Sequence, residues 1–200
     1  MPQLPPVTKA LLLICTAVFC VQLLLGPWLE GWFALWPVAS GHFMPWQLFT
    51  YAFLHGEPLH LFFNMFGLYM FGAEIEMIWG RRRYMQYLAA SSIAGGLTQL
   101  VFTAVIGQFG PTLGASGALF GLLLAFGMMF PERTIMPLFP PIPMKAKVFV
   151  AVFGGLELLS GVFSPYGGVA HFAHLGGMLG GWLMVRFWRG QPPFPPRRRR

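Results

Sequence analysis

Six stretches of this chain are apolar enough to lie across a lipid bilayer, and that pattern limits its fold more than any other feature. They run over about residues 9–26, 58–79, 84–106, 115–130, 146–163 and 170–188. A spanning helix needs roughly 20 mostly apolar residues. Lipid offers no partner for backbone N–H and C=O groups, so such segments pair their own and form helices. Composition points the same way. The chain is 56% hydrophobic and 10% charged, with a mean hydropathy of +0.63, whereas a soluble domain carries about 25% charged residues. The expected fold is an all-α membrane protein, a six-helix bundle. It forms a single domain over residues 1–200, with a helical core over about 9–188 and a basic tail over 189–200.

Charge sets the expected orientation. Lys9, the Arg81–Arg82–Arg83 run, Arg133, Lys145, Lys147 and the terminal Arg197–Arg200 cluster all fall on one side of a six-span path. The three opposite loops contain no Lys or Arg. Positive residues stay in the cytoplasm, so both termini are expected there. The net charge of +7 is thus read as anchoring against anionic lipid. No groove-reading motif accompanies it, and nucleic acid is not an expected partner. A short chain whose first apolar run has no cleavage site suggests a prokaryotic plasma membrane.

The remaining segments carry less. The connection over about 27–57 holds Trp28, Trp32, Trp36 and Trp46 and is expected to lie in the outer interface, where Trp prefers the headgroup region. The loop 131–143 holds Pro131, Pro137, Pro140, Pro141 and Pro143 and reads as an irregular connector. Cys15 and Cys20 sit five positions apart on a helix, point in different directions and do not bridge.

Polar residues inside a membrane are costly and mark function by default. Three groups stand out. Gly114-Ala115-Ser116-Gly117 opens the fourth apolar run, and Gly117 and Gly121 form a face for tight helix packing. Ala173-His174 opens the sixth, and His174, Gly177 and Gly181 share one face. His60 and Asn64, four apart, share a face of the second. All three runs start on the outer side, so these polar groups share a depth. A serine hydroxyl needs a base to accept its proton, and an imidazole suits that task at neutral pH. His60 and Asn64 have the chemistry of oxyanion donors. Each group also reads as helix packing with an incidental polar residue. The chain contains no Asp, the usual orienting residue for such a base. Ser116 and His174 therefore work as a dyad or borrow a Glu. Glu157, deep in an apolar run, is expected to make a buried structural hydrogen bond.

The three motifs, in order and on matching helices, resemble the rhomboid intramembrane serine proteases. So does Glu76-x-x-x-Gly80 followed by Arg81–Arg83. The similarity covers about residues 45–185. It implies that Ser116 attacks the scissile carbonyl, with His174 as base. His60, Asn64 and the Ser116 N–H would stabilise the oxyanion. Gly114 would bring backbone near that oxyanion, and Phe120 would lie against the catalytic histidine. His171 is read as a structural neighbour of the site, with His174 favoured as base by the Gly177 and Gly181 ladder beneath it. Substrates would be single-span membrane proteins, and no metal or cofactor is needed. Where the family often has Trp-Arg, this chain has Trp46-Gln47, so no charge contact is carried over. The sequence leaves the oligomeric state open. Two rival readings stand beside the protease. One is an inactive rhomboid-like protein that binds membrane clients. The other is a solute transporter or channel, disfavoured by the lack of an internal repeat.

Overall fold

The computed structural model describes residues 4–138, 141–163 and 170–195. Pro140, residues 164–169 and Arg197–Arg200 lie outside them. The chain is helical, with α1 (Pro6–Phe33), α2 (Gln47–Thr50), α3 (Pro58–Gly67), α4 (Ala73–Ile106), α5 (Ser116–Met129), α6 (Ala146–Phe163) and α7 (His171–Arg189). A π-helical stretch, Leu68–Gly72, joins α3 to α4. A two-residue antiparallel ladder pairs β1 (Thr134–Ile135) with β2 (Met144–Lys145) across the proline-rich loop.

Among the described residues, three stretches are long and apolar enough to cross a membrane: Pro6–Phe33, Pro58–Ile106 and Ala146–Phe163. Ser116–Met129 is a shorter apolar helix. The second stretch has 49 residues. Straight, it would measure about 74 Å at 1.5 Å per residue, far more than the ~30 Å hydrocarbon core. Gly80 breaks it with φ 75° and ψ 161°, a left-handed conformation open to glycine. The predicted helices over 58–79 and 84–106 thus meet at one residue rather than through a loop.

One boundary differs more. The first helix was expected to end near residue 26, before Pro27, but α1 continues to Phe33. The helix bends at Leu25 (φ −124°, ψ 25°) and resumes with Pro27 inside it. A proline kinks a helix when its neighbours absorb the lost bond. Trp28 and Trp32 therefore sit on α1 rather than in the connection. Trp32 stacks on Trp46, and the Trp46 indole N–H donates to the Trp32 carbonyl.

The core centres on Leu68, Ile75, Tyr84, Tyr87, Leu122 and Phe126. The two ends of the bundle are tied differently. At one end, the N–H groups of Val7 and Thr8 donate to Glu76 (2.9 and 2.7 Å), and the Thr8 hydroxyl donates to it at 2.8 Å. A carboxylate at the start of α1 satisfies donors that have no intrahelical partner and complements the helix dipole. Arg133 pairs with Glu74 (2.6 Å), and Lys145 and Lys147 pair with Glu132 at that end. At the other end, Leu35 and Thr112 exchange backbone hydrogen bonds of 2.9 and 2.8 Å, and the Gly114 N–H donates to the Tyr51 carbonyl. These bonds fix the segment leading into α5 against the α1–α3 connection. Gln47 is fully buried there. Its side chain accepts from the N–H groups of Trp36 and Met44 and donates to the His42 carbonyl. A neutral amide thus holds the connection through backbone contacts.

Candidate active site

The starts of α3, α5 and α7 converge on a cavity of about 720 Å³, lined by His60, Asn64, Gln99, Ser116, Phe120 and His174 among others. Ser116 is the first residue of α5, and His174 lies in the first turn of α7. Their side chains meet, with Ser116 Oγ 2.7 Å from His174 Nε2.

Small residues permit that meeting. A Cβ built on Gly177 would stand 2.6 Å from the Gly117 carbonyl carbon. Only glycine allows the backbones of α5 and α7 to approach this closely. The ladder is not confined to those two helices. A Cβ on Gly121 would strike Ser91, and one on Gly181 would strike the Tyr87 hydroxyl, both on α4. Tyr87 donates to the Gly121 carbonyl at 2.6 Å. The adjoining edge of α7 is equally tight, since Gly176 and Gly180 back onto the carbonyls of Ala94 and Ala90. Thus α7 is wedged between α4 and α5 on two glycine edges, one of which the sequence motif did not assign.

The ring of Phe120 stacks on His174, with centroids 4.3 Å apart and planes within 6°. At the ring edge away from Ser116, His174 meets α6. Its Nδ1 lies 2.8 Å from Glu157 Oε2, and the same oxygen lies 2.7 Å from His171 Nδ1. A carboxylate only accepts, so both Nδ1 atoms carry the hydrogen. In the neutral imidazole His174 Nε2 is then an acceptor, and the Ser116 hydroxyl donates to it. His171 makes its contact with Glu157 and not with Ser116. Glu157, expected to make a buried structural hydrogen bond, is partly buried, and its hydrogen-bond partners among the described residues are these histidines.

Glu157, His171 and His174 also have the donor types of a metal site, with ligand atoms within 4.8 Å of one another. The 2.7 and 2.8 Å separations are those of hydrogen bonds. Ligands around a tetrahedral zinc at 2.0–2.1 Å stand about 3.3 Å apart.

Across the cavity, Asn64 Nδ2 donates to the His60 carbonyl at 2.9 Å, and its buried Oδ1 has no partner among the described residues. Gly114 has φ 123°, and a Cβ there would stand 2.6 Å from the His60 ring. Both its conformation and its clearance exclude other residues. Two polar residues of this region were not singled out from the sequence. Gln99 lines the cavity from α4, and its Oε1 is buried without a partner among the described residues. Its signal was an uncharged polar residue within an apolar run. His55 is buried with its ring centroid 5.2 Å from that of His60. It lies in the Trp-rich connection, where no periodicity marks it.

A family model of the rhomboid domain matches residues 42–190. The chain is 29% identical over 189 residues to "Rhomboid protease GlpG" of Yersinia pestis (strain Pestoides F), covering 93% of this chain. The protein of that name from Yersinia pseudotuberculosis serotype O:3 (strain YPIII) matches to the same extent. "Rhomboid protein 1, mitochondrial" of Saccharomyces cerevisiae is 36% identical over 135 residues, or 66% of this chain. The chain spans 63% of the length of the Yersinia proteins and 38% of the yeast protein. With apolar helices of membrane-spanning length and a match over three quarters of its residues, this chain is an integral membrane protein of the rhomboid family.

Proposed function

We propose that this chain is an intramembrane serine endopeptidase that cleaves single-span membrane proteins with Ser116 as nucleophile and His174 as base. The observation that carries this reading is the 2.7 Å contact between Ser116 Oγ and His174 Nε2 at the wall of the cavity. A base within hydrogen-bond reach activates a serine hydroxyl. Attack of Oγ on the scissile carbonyl passes the hydroxyl proton to Nε2. The imidazolium then returns that proton to the leaving amine, and water releases the acyl group by the same route.

The negative charge on the carbonyl oxygen needs donors. The first turn of α5 supplies N–H groups without intrahelical acceptors, that of Ser116 among them. His60 and Asn64 face the same cavity, and we assign them as further donors. Gly114, Gly117, Gly177 and Gly181 allow the close approach of these elements, and Phe120 holds one face of the His174 ring.

The membrane arrangement that goes with this chemistry has six spans, counting the two arms either side of Gly80 separately, with both termini in the cytoplasm. Its support is the collection of Lys and Arg residues at the end of the bundle opposite the cavity. The cavity then opens toward the outer face, where water reaches it, in what we assign as a prokaryotic plasma membrane.

The test is cleavage of a model single-span substrate in proteoliposomes. Wild type is expected to cut, and Ser116→Ala and His174→Ala are expected not to. Either variant cutting at the wild-type rate refutes the assignment.

A further inference from the structure

The dyad leaves one partner of His174 without a role. Glu157 lies on α6, an element that otherwise contributes nothing to the catalytic pair. Its Oε2 sits 2.8 Å from His174 Nδ1, on the far side of the ring from Ser116. Ser116, His174 and Glu157 thus form a continuous line of hydrogen bonds, with Oγ to Nε2 at 2.7 Å and Nδ1 to Oε2 at 2.8 Å.

The approach of α6 is built for this contact. Gly154, Glu157 and Gly161 recur at helical spacing and share one face. A Cβ on Gly154 would stand 3.2 Å from the Met178 methyl, and one on Gly161 would stand 2.7 Å from the Phe172 ring and 3.2 Å from the His171 Cβ. The glycines flanking Glu157 therefore seat α6 directly on α7. His171 completes the arrangement. Its Nδ1–H donates to the same carboxylate oxygen at 2.7 Å, and its ring stands at 89° to that of His174. A second donor at right angles limits the carboxylate to one orientation.

We infer that Glu157 is a positioning residue for the catalytic base, and that His171 holds Glu157 in place. This inference rests on the protease reading above. A neutral imidazole can carry its hydrogen on either nitrogen. With the hydrogen on Nε2 it cannot accept from Ser116. A carboxylate facing Nδ1 selects the productive tautomer, fixes the ring and stabilises the imidazolium that forms as the serine is deprotonated. The chain contains no Asp, so a Glu from a neighbouring helix fills the part an Asp plays in soluble serine hydrolases. Any displacement of α6 also uncouples the base.

The experiment is steady-state cleavage of a single-span substrate by wild type, Glu157→Gln and Ser116→Ala, on protein whose melting in detergent matches wild type. A Gln carbonyl oxygen can take the place of Oε2 and accept from both Nδ1–H groups, but it carries no charge to stabilise the imidazolium that forms. The expected result is a kcat lowered by about 10²–10⁴-fold with KM within about threefold. A fall in kcat of less than about tenfold, or an equivalent effect confined to KM, overturns the positioning role. Loss of cleavage in Ser116→Ala beside that small fall in Glu157→Gln removes the positioning role and leaves the protease standing. Cleavage by Ser116→Ala removes both.

Nitrogen-15 NMR of histidine-labelled wild type decides the matter if Glu157→Gln fails to fold. The His174 signal, assigned by its loss in His174→Asn, is expected to show a hydrogen on Nδ1. A hydrogen on Nε2 alone overturns the inference.

Discussion

Gly177 backs directly onto Gly117, so close that a Cβ at position 177 would stand 2.6 Å from the Gly117 carbonyl carbon. That contact, rather than any attraction between Ser116 and His174, sets the distance between the two reactive side chains. One is the first residue of α5 and the other lies in the first turn of α7, 58 positions later. Their 2.7 Å separation is inherited from the packing of the helices that carry them.

Gly177→Ala tests this directly. The added methyl has only backbone to meet, so α5 and α7 must part. A displacement of about 1 Å at a catalytic pair costs about 10²-fold in rate, and overpacking costs about 1–3 kcal/mol of stability. Gly155→Ala on α6 serves as the control, since a Cβ there meets nothing within 4 Å. It is expected to leave cleavage unchanged and to stabilise by about 0.5–1 kcal/mol. Rates and melting temperatures of the two variants, measured side by side, decide the point.

Asn64→Ala addresses the oxyanion side of the cavity. If Asn64 is one of several donors, turnover should slow by about 10²-fold or less. Its Nδ2 already donates to the His60 carbonyl, so the substitution also relaxes His60. A fall confined to kcat supports a transition-state contact. A change in KM alone points to substrate binding instead.

Glu76 concerns stability rather than chemistry. It accepts from two N–H groups and one hydroxyl at the start of α1, and it is buried. Glu76→Ala leaves those donors without an acceptor, at a cost of about 2–3 kcal/mol. Cleavage per folded molecule should be unaffected, because the cavity lies at the other end of the bundle. Unfolding in a denaturing detergent measures the first effect, and active-site titration corrects for it in the second.

Several parts of this arrangement were legible in the residues, for physical reasons. Apolar runs marked the helices because lipid penalises any alternative. His174, Gly177 and Gly181 marked one face of α7 because a helix repeats every 3.6 residues. Other parts were hidden. The extension of α1 through Pro27 depends on a bend at Leu25 that no propensity encodes. Gly176 and Gly180 form a second contact edge that is visible only when α4 is beside it. Glu157 could be read as a buried polar residue, but not as the partner of two histidines. That pairing depends on the distance between α6 and α7, which the sequence does not state.

The loop at the charged end supplies a pH test. Hydrogen bonds from Lys145 and Lys147 hold the Glu132 carboxyl at about 2, below its ordinary value near 4.5. Because the folded value is the lower one, the pair contributes above pH 4.5, and that contribution is lost as pH falls toward 2. The groups are solvent-exposed, so salt screens them and the effect is small. The melting difference between wild type and Glu132→Gln should shrink over that range and vanish only below pH 2. A difference that does not shrink between pH 4.5 and pH 2 would mean that packing, not charge, holds the loop.

Labelling with a fluorophosphonate probe, mapped by mass spectrometry, tests the nucleophile most directly, because the probe reacts only with an activated serine. Wild type should carry the adduct on Ser116. Ser116→Ala should carry none, His174→Ala should label far more slowly, and His171→Ala, which loosens Glu157 but keeps the base, should label faster than His174→Ala. An adduct on another residue, or equal labelling of wild type and Ser116→Ala, would contradict the assignment of Ser116 and His174 as the reactive pair.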